Sequence, residues 1–315
     1  MNLATVLNQH IILGLWPIAG VTTVGVTREH AIATIRTAIE AGIRQFDTAY
    51  SYGLQGEADE RLGAALQDLD ASTRKEIQII GKVGQRYNED GVRVNDGRPE
   101  TLVVDAENSL RRIGIRCFDT LMLHCVDEEV PIQASAWALQ RLMQRGMAKR
   151  VGVCNATPEQ RAEFASVIPC SAIQCPLNGL QQETLSTVIP DAKENDCDVW
   201  VYWTLMKGLL AGKIERDHVF AEGDSRPNYP IFQGEARQRA HDIVDQLKLI
   251  AADTGRSVAN LSISWAVSQP GVTAALVGAH RPEQIADFAT AGPLPKAVRR
   301  QVKELFATSS DSTAE

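Results

Sequence analysis

Seven polar side chains stand at or just past the ends of apolar runs along this chain: Asp47, Tyr52, Lys82, His124, Asn155, Gln174 and Tyr202. A phenol such as Tyr52 has an ordinary pKa near 10 and is a poor acid at neutral pH. A neighbouring ammonium stabilises the phenolate and pulls that pKa down, and Lys82 is the candidate to supply it. Asp47 then holds Lys82 charged and oriented, while His124 donates a hydrogen bond to a carbonyl oxygen. Taken singly, each residue has a plain structural reading. An Asp at a strand end caps a turn, a Tyr in a loop packs, and a His after an apolar strand is a satisfied structural group. Together they call for a shared purpose, because burying four ionisable groups at one place is costly without one.

The elements that must bring them together are short runs rich in Val, Ile and Leu, at residues 11–16, 43–47, 77–82, 118–124, 150–155, 171–175, 199–203 and 273–278. These runs lack polar alternation, which suits strands buried on both faces of a parallel sheet. Segments with helical spacing lie between them, at 28–41, 57–69, 99–113, 132–146, 158–167 and 180–195, and two more at 235–254 and 257–269. Pro99 and Pro158 sit where a first helical turn tolerates proline, and Gly42 and Gly146 where a helix stops. Alternation repeated eight times without a linker predicts a single-domain α/β (β/α)8 TIM barrel. The alternative, a doubly wound open sheet, lacks its G-x-G-x-x-G fingerprint after any strand. In a barrel, reacting groups come from the C-terminal ends of strands, where the seven residues fall. The spacing breaks once, between Trp203 and Thr273, where about seventy residues form a long insert between strands seven and eight.

Composition narrows the function classes. The chain has 315 residues, 44% hydrophobic and 23% charged, with a net charge of −7. No stretch approaches the roughly 18 consecutive apolar residues of a membrane span. The negative balance, without a basic cluster, argues against nucleic acid. Six scattered cysteines form no C-x-x-C pair and read as reduced core residues. The N-terminal segment has no basic region ahead of an apolar run, so the expected setting is the cytoplasm, with no membrane partner and a monomeric or small homo-oligomeric state. The barrel is expected over residues 1–308, with a disordered tail at 309–315.

The segment G-I-R-Q-F-D-T-A-Y-S-Y-G (42–53), followed by Glu57 and R-L-G (61–63), resembles the signature of the aldo-keto reductases. The likeness continues in order through I-I-G-K (79–82), L-M-L-H (121–124), V-G-V-C-N (151–155), I-Q-C-P-L-N (173–178), Y-W-T-L-M-K-G-L-L-A-G-K (202–213) and V-G-A-H-R-P-E-Q-I (277–285). It implies a nicotinamide-dependent oxidoreductase of aldehydes, ketones or sugars, with Tyr52 as proton donor or acceptor, Lys82 and Asp47 as its tuners and His124 orienting the carbonyl. By the same likeness Asn155 and Gln174 hydrogen-bond the nicotinamide carboxamide and Tyr202 stacks on its ring. Leu205, Lys207 and Leu209 lie along the pyrophosphate, and Gly278, His280, Arg281 and Gln284 near the adenosine phosphate. Cys154 stands where the family often has Ser, Thr204 replaces a usual proline, and the neighbourhood of Phe288 lacks the Glu-Asn pair often seen beside adenine. An Arg281 clamp on a 2′-phosphate favours NADP(H), with NAD(H) left open.

Trp16 and Trp203 are expected to border the substrate pocket, with Tyr229 and Phe232 of the insert closing it and 84–97 supplying contacts to hydroxyl groups. The competing readings are a catalytically weak redox-sensing partner subunit on the same barrel, against which the intact tetrad speaks, and a metal-dependent hydrolase, which lacks a convergent ligand set. The run G-L-L-A-G-K (208–213) departs from a P-loop in its glycine spacing and in Ile214, where a Ser or Thr should hold magnesium.

Overall fold

Eight parallel strands close on themselves in the computed structural model, which describes residues 8–310. In chain order the elements are β1 (Asn8–Gly14), α1 (Arg28–Glu40), β2 (Ile43–Asp47), α2 (Glu57–Leu66), α3 (Ala71–Glu76), β3 (Gln78–Val83), β4 (Gln85–Tyr87), β5 (Arg93–Asn95), α4 (Pro99–Ile113) and β6 (Phe118–Leu123). There follow α5 (Ile132–Gln144), β7 (Ala148–Cys154), α6 (Pro158–Ala165), β8 (Ala172–Pro176), α7 (Val188–Glu194), β9 (Asp198–Tyr202), α8 (Gly234–Thr254), α9 (Val258–Val267), β10 (Ala274–Gly278) and α10 (Lys296–Ser310). The ring runs β1-β10-β9-β8-β7-β6-β3-β2 and closes where Ile11 to Gly14 pair with Ala275 to Gly278. This is the (β/α)8 barrel expected from the alternation. The strands β4 and β5 stand apart as an antiparallel hairpin on the loop after β3.

Local chemistry explains the helix limits. Thr27 caps α1 by accepting from the His30 N–H at 3.2 Å, and Thr157 with Gln160 forms a reciprocal cap on α6. The helix expected over 180–195 is confined to Val188–Glu194, because Pro190 has no N–H and its ring excludes the carbonyl four residues earlier; it is tolerated only in a first turn. The helix begun at Glu57 ends at Leu66, and Asp70 starts a separate one by accepting from the N–H groups of Ser72 and Thr73. The sequence reading had no helix at α10, whose Phe306 lies edge-on to Trp265 at 5.0 Å. Its last turn includes Ser309, where the tail was expected to begin, and 311–315 lie outside the described residues. No described helix is long and apolar enough to cross a membrane.

Side-chain alternation along each strand sorts the core into two layers. Residues facing the helices, among them Ile11, Leu13, Phe46, Leu121, Val153 and Val201, form the large outer core. Ile12, Ile80, Met122, Cys154, Ala172, Trp200, Ala274 and Leu276 fill the barrel interior. Trp200 pairs in register with Ala274, so its bulk is matched by a small neighbour. The insert seals itself with a third cluster, Leu209, Ile214, Phe232 and Ala240.

Candidate active site

Two residues beyond the apolar plug on each strand, the same alternation points the next side chains inward. Lys82 follows Ile80, His124 follows Met122, Gln174 follows Ala172 and Tyr202 follows Trp200. Asp47 ends β2 and is fully buried, and its carboxylate is in contact with the Lys82 ammonium, itself only 2% exposed. The other Asp47 oxygen accepts from Gln174 Nε2 at 2.7 Å. Because β2 and β8 stand opposite in the ring, this bond ties the two sides of the barrel together just under its mouth.

Tyr52 lies on the loop after β2, fixed by backbone bonds from Tyr50 N–H to the Lys82 carbonyl and from Tyr52 N–H to the Ala49 carbonyl, both 2.9 Å. Gly53 must follow it: φ is +106°, and a Cβ there would strike the Glu57 side chain and backbone. Beneath the loop, Thr48 donates to the buried Asp59 at 2.6 Å, and Ser109 donates to the other Asp59 oxygen. The Tyr52 ring sits 4.7 Å from Lys82 Nζ, edge-on to His124 at 5.6 Å and to Trp16 at 5.2 Å. The four candidate groups therefore meet at one place.

Electrostatics refine the chemistry. Burial works against the Lys82 ammonium, but the Asp47 carboxylate, with Tyr52, outweighs it and holds the lysine above its ordinary value. Lys82 does favour the Tyr52 phenolate, yet burial of the phenol prevails and lifts it to about 12. The sequence-based expectation of a lowered Tyr52 pKa is thus corrected: burial keeps the group a neutral phenol. His124 is kept well below its usual value by burial, then by the charges of Lys82 and Arg93, so it is a neutral imidazole at pH 7. Its Nδ1 is buried without a partner among the described residues. An unpartnered polar atom beside a donor phenol is a place that fits a ligand.

The remaining expected residues divide. Tyr202 donates to Asn155 Oδ1 at 2.5 Å, and Asn155, in the left-handed region with φ of 57°, donates in turn to the His124 carbonyl at 3.0 Å. These two frame the mouth between β7 and β9. Gln174, expected at a carboxamide, spends its amide on Asp47 and its oxygen on the Cys154 thiol at 3.4 Å. Trp203 is 38% exposed and in the left-handed region, and Lys207 lies over its ring at 4.9 Å and over that of Tyr229 at 4.1 Å. Leu205 packs at the edge of the outer core, while the Leu209 side chain is fully buried, so only its backbone can face a ligand. Gln284 accepts from the N–H groups of His280 and Arg281, at 2.9 and 3.1 Å, and so shapes the loop after β10. Arg281 is exposed there beside Gly278. Phe232, expected at the pocket, is instead 3% exposed and packed edge-on against Phe220 at 5.5 Å, within the insert's own cluster.

Cys154, noted in the sequence only as a departure from the family pattern, lies in the apolar layer of the barrel interior, its thiol donating to Gln174 Oε1 at 3.4 Å. Arg93, within the 84–97 stretch expected to supply substrate contacts but not singled out there, is carried by the β4–β5 hairpin and lies 4.9 Å over the Trp16 ring.

The parallel eight-strand barrel thus carries a buried Asp–Lys pair, a tyrosine and a histidine together at its C-terminal mouth. Residues 10–307 match the aldo/keto reductase family, and the chain belongs to it. It is similar to the aldo-keto reductase YhdN of Bacillus subtilis (strain 168), 33% identical over 87% of this chain and 82% of that protein. It is also similar to the NADH-specific methylglyoxal reductase of Escherichia coli (strain K12), 28% identical over 87% of this chain and 86% of that one. Among solved structures, the glycerol dehydrogenase AKR11B4 from Gluconobacter oxydans superposes with a TM-score of 0.86 at 30% identity, covering 95% of this chain and 91% of the other. The protein is therefore an enzyme that interconverts a carbonyl and an alcohol with a nicotinamide cofactor.

Proposed function

We propose that the protein reduces a small aldehyde or ketone with NADP(H), using Tyr52 as the proton donor. The observation that carries this reading is the buried Lys82–Asp47 pair set beneath the Tyr52 ring, with His124 at the ring's edge. The reduced nicotinamide, when bound, supplies hydride to the carbonyl carbon. Tyr52 gives its hydroxyl proton to the carbonyl oxygen, and the phenolate left behind is stabilised by Lys82, held charged by Asp47. A neutral His124 donates a hydrogen bond to the same oxygen without adding charge.

Asn155 and Tyr202 would hold the nicotinamide, with Gln174 acting through Asp47. The Leu205, Lys207 and Leu209 segment is read as the pyrophosphate cradle, and Gly278, His280, Arg281 and Gln284 as the adenosine side. Support for NADP(H) comes from Arg281, exposed at the N-cap of the turn after β10 that also carries Glu283; Asp287, at the far end of that turn, pairs with Lys213 at 2.5 Å. Trp16, Trp203 and Tyr229 are assigned to the substrate side.

The test combines cofactor titration with turnover. Wild-type protein is expected to bind NADPH more tightly than NADH by fluorescence and to oxidise it in the presence of small aldehydes. Tyr52→Phe is expected to lose about 10²- to 10⁴-fold in turnover while keeping its NADPH affinity. Undiminished turnover would remove Tyr52 from the mechanism, and equal or tighter NADH binding would reverse the cofactor assignment.

A further inference from the structure

Three arginines lie on or beside the β4–β5 hairpin, and two are spent on structure. Arg86 faces Asp96 at 3.8 Å and Asp105 at 3.7 Å, and Arg98 pairs with Asp96 at 2.7 Å. Arg93 has no carboxylate partner among the described residues. It is exposed, with its guanidinium 4.9 Å from the Trp16 ring, which lies 5.2 Å from the Tyr52 ring. Stacking on an indole fixes the plane of the guanidinium; Arg93 also meets the Tyr87 hydroxyl, and its remaining edge N–H donors are available to an incoming oxyanion.

The hairpin itself is anchored at the mouth. Gln85 donates to Asn95 at 3.0 Å and to the Cys125 sulfur at 3.2 Å, and Asn95 donates to the Val126 carbonyl at 3.3 Å. Arg93 is thereby held beside the loop that carries His124. In the ring β3 stands opposite β9, after which comes the Lys207 segment assigned to cofactor phosphate. An anion at Arg93 is therefore one that a substrate brings, on the side of the mouth away from the cofactor.

The geometry points to Arg93 as a specificity determinant that receives the anionic group, phosphate or carboxylate, of a short aldehyde whose carbonyl lies at Tyr52 and His124. This rests on the reduction proposed above. The Arg93 charge also counts, after burial and Lys82, among the causes that lower the His124 pKa.

Steady-state rates on two matched pairs test it: glyceraldehyde 3-phosphate against glyceraldehyde, and succinic semialdehyde against butyraldehyde. Wild-type enzyme should favour the anionic member of at least one pair, and the pair it favours tells phosphate from carboxylate. The preference should shrink as ionic strength rises. Arg93→Gln should cut the charged-to-neutral ratio of kcat/KM by about tenfold, chiefly through KM, and Arg93→Lys should restore part of it. A wild-type ratio near one in both pairs, or an equal loss on both members in Arg93→Gln, would overturn the inference while leaving the reduction standing. Failure to reduce any of the four aldehydes would strike the reduction itself, and this inference with it.

Discussion

A charge buried with its counter-charge is stable only as a pair. Lys82 and Asp47 are each about 1% exposed at the side chain, so removing one partner leaves the other in a low-dielectric interior with no compensation. Asp47→Asn is expected to cost about 3–5 kcal/mol by urea denaturation. Replacing both, as Asp47→Leu with Lys82→Met, should recover most of that stability and none of the activity. A single substitution costing less than about 1 kcal/mol would mean that water reaches the pair. This separation matters because three of the four candidate groups were legible in the sequence from their place at strand ends, and such a place alone does not distinguish chemistry from folding. Asp47, Lys82 and His124 could be listed from the strand pattern, and Tyr52 from the loop that follows. Gln174 could be listed too, but not its bond to Asp47, which spans the barrel between residues 127 apart in sequence.

At the scale of elements, the strands were readable because a buried parallel strand is an unbroken apolar run, and β2 and α4 fall at the expected limits. Misreadings arose where one residue or a tertiary contact overrides the local pattern. Pro190 shortens α7, and Phe232 looks like a pocket aromatic until the insert folds back and buries it with Leu209 and Ile214. The hairpin that carries Arg93 is only three residues to a strand, too short for periodicity to register. Helix α10 depends on docking: Phe306 is fully buried against Trp265, and a Cβ at Gly179 would collide with its ring. Phe306→Ala should lower stability by about 3–5 kcal/mol, read as a fall in the urea midpoint. A change below about 1 kcal/mol would show that α10 is not part of the cooperative core.

The whole molecule carries two opposed pH dependences. Burial lifts the Asp59 carboxyl to about 6, against the hydrogen bonds from Ser109 and Thr48, and lifts Asp105 to about 7, where Arg86 at 3.7 Å offsets little. Both Asp105 oxygens lack hydrogen-bond partners among the described residues. A carboxyl whose folded pKa is raised binds its proton more tightly in the folded state. Its contribution to stability is fully present below the unfolded value near 4 and is lost as pH climbs through 6 to 7. The histidines act the other way. Burial lowers the pKa of His124, His241 and His280, so the folded state resists their protonation and stability falls as pH drops below about 6.5. Stability should therefore peak in mildly acidic solution and decline toward pH 8, although each class alone would give a one-sided slope. Asp105→Asn isolates one limb, because the amide keeps the shape and cannot ionise. Its advantage over wild type should be near zero at pH 4, appear through pH 5 to 7 and level off above that at about 1–3 kcal/mol. Urea midpoints at pH 4.5 and 8 decide the matter: an equal difference at both values would mean that Asp105 does not titrate in this range and that Arg86 holds it ionised throughout.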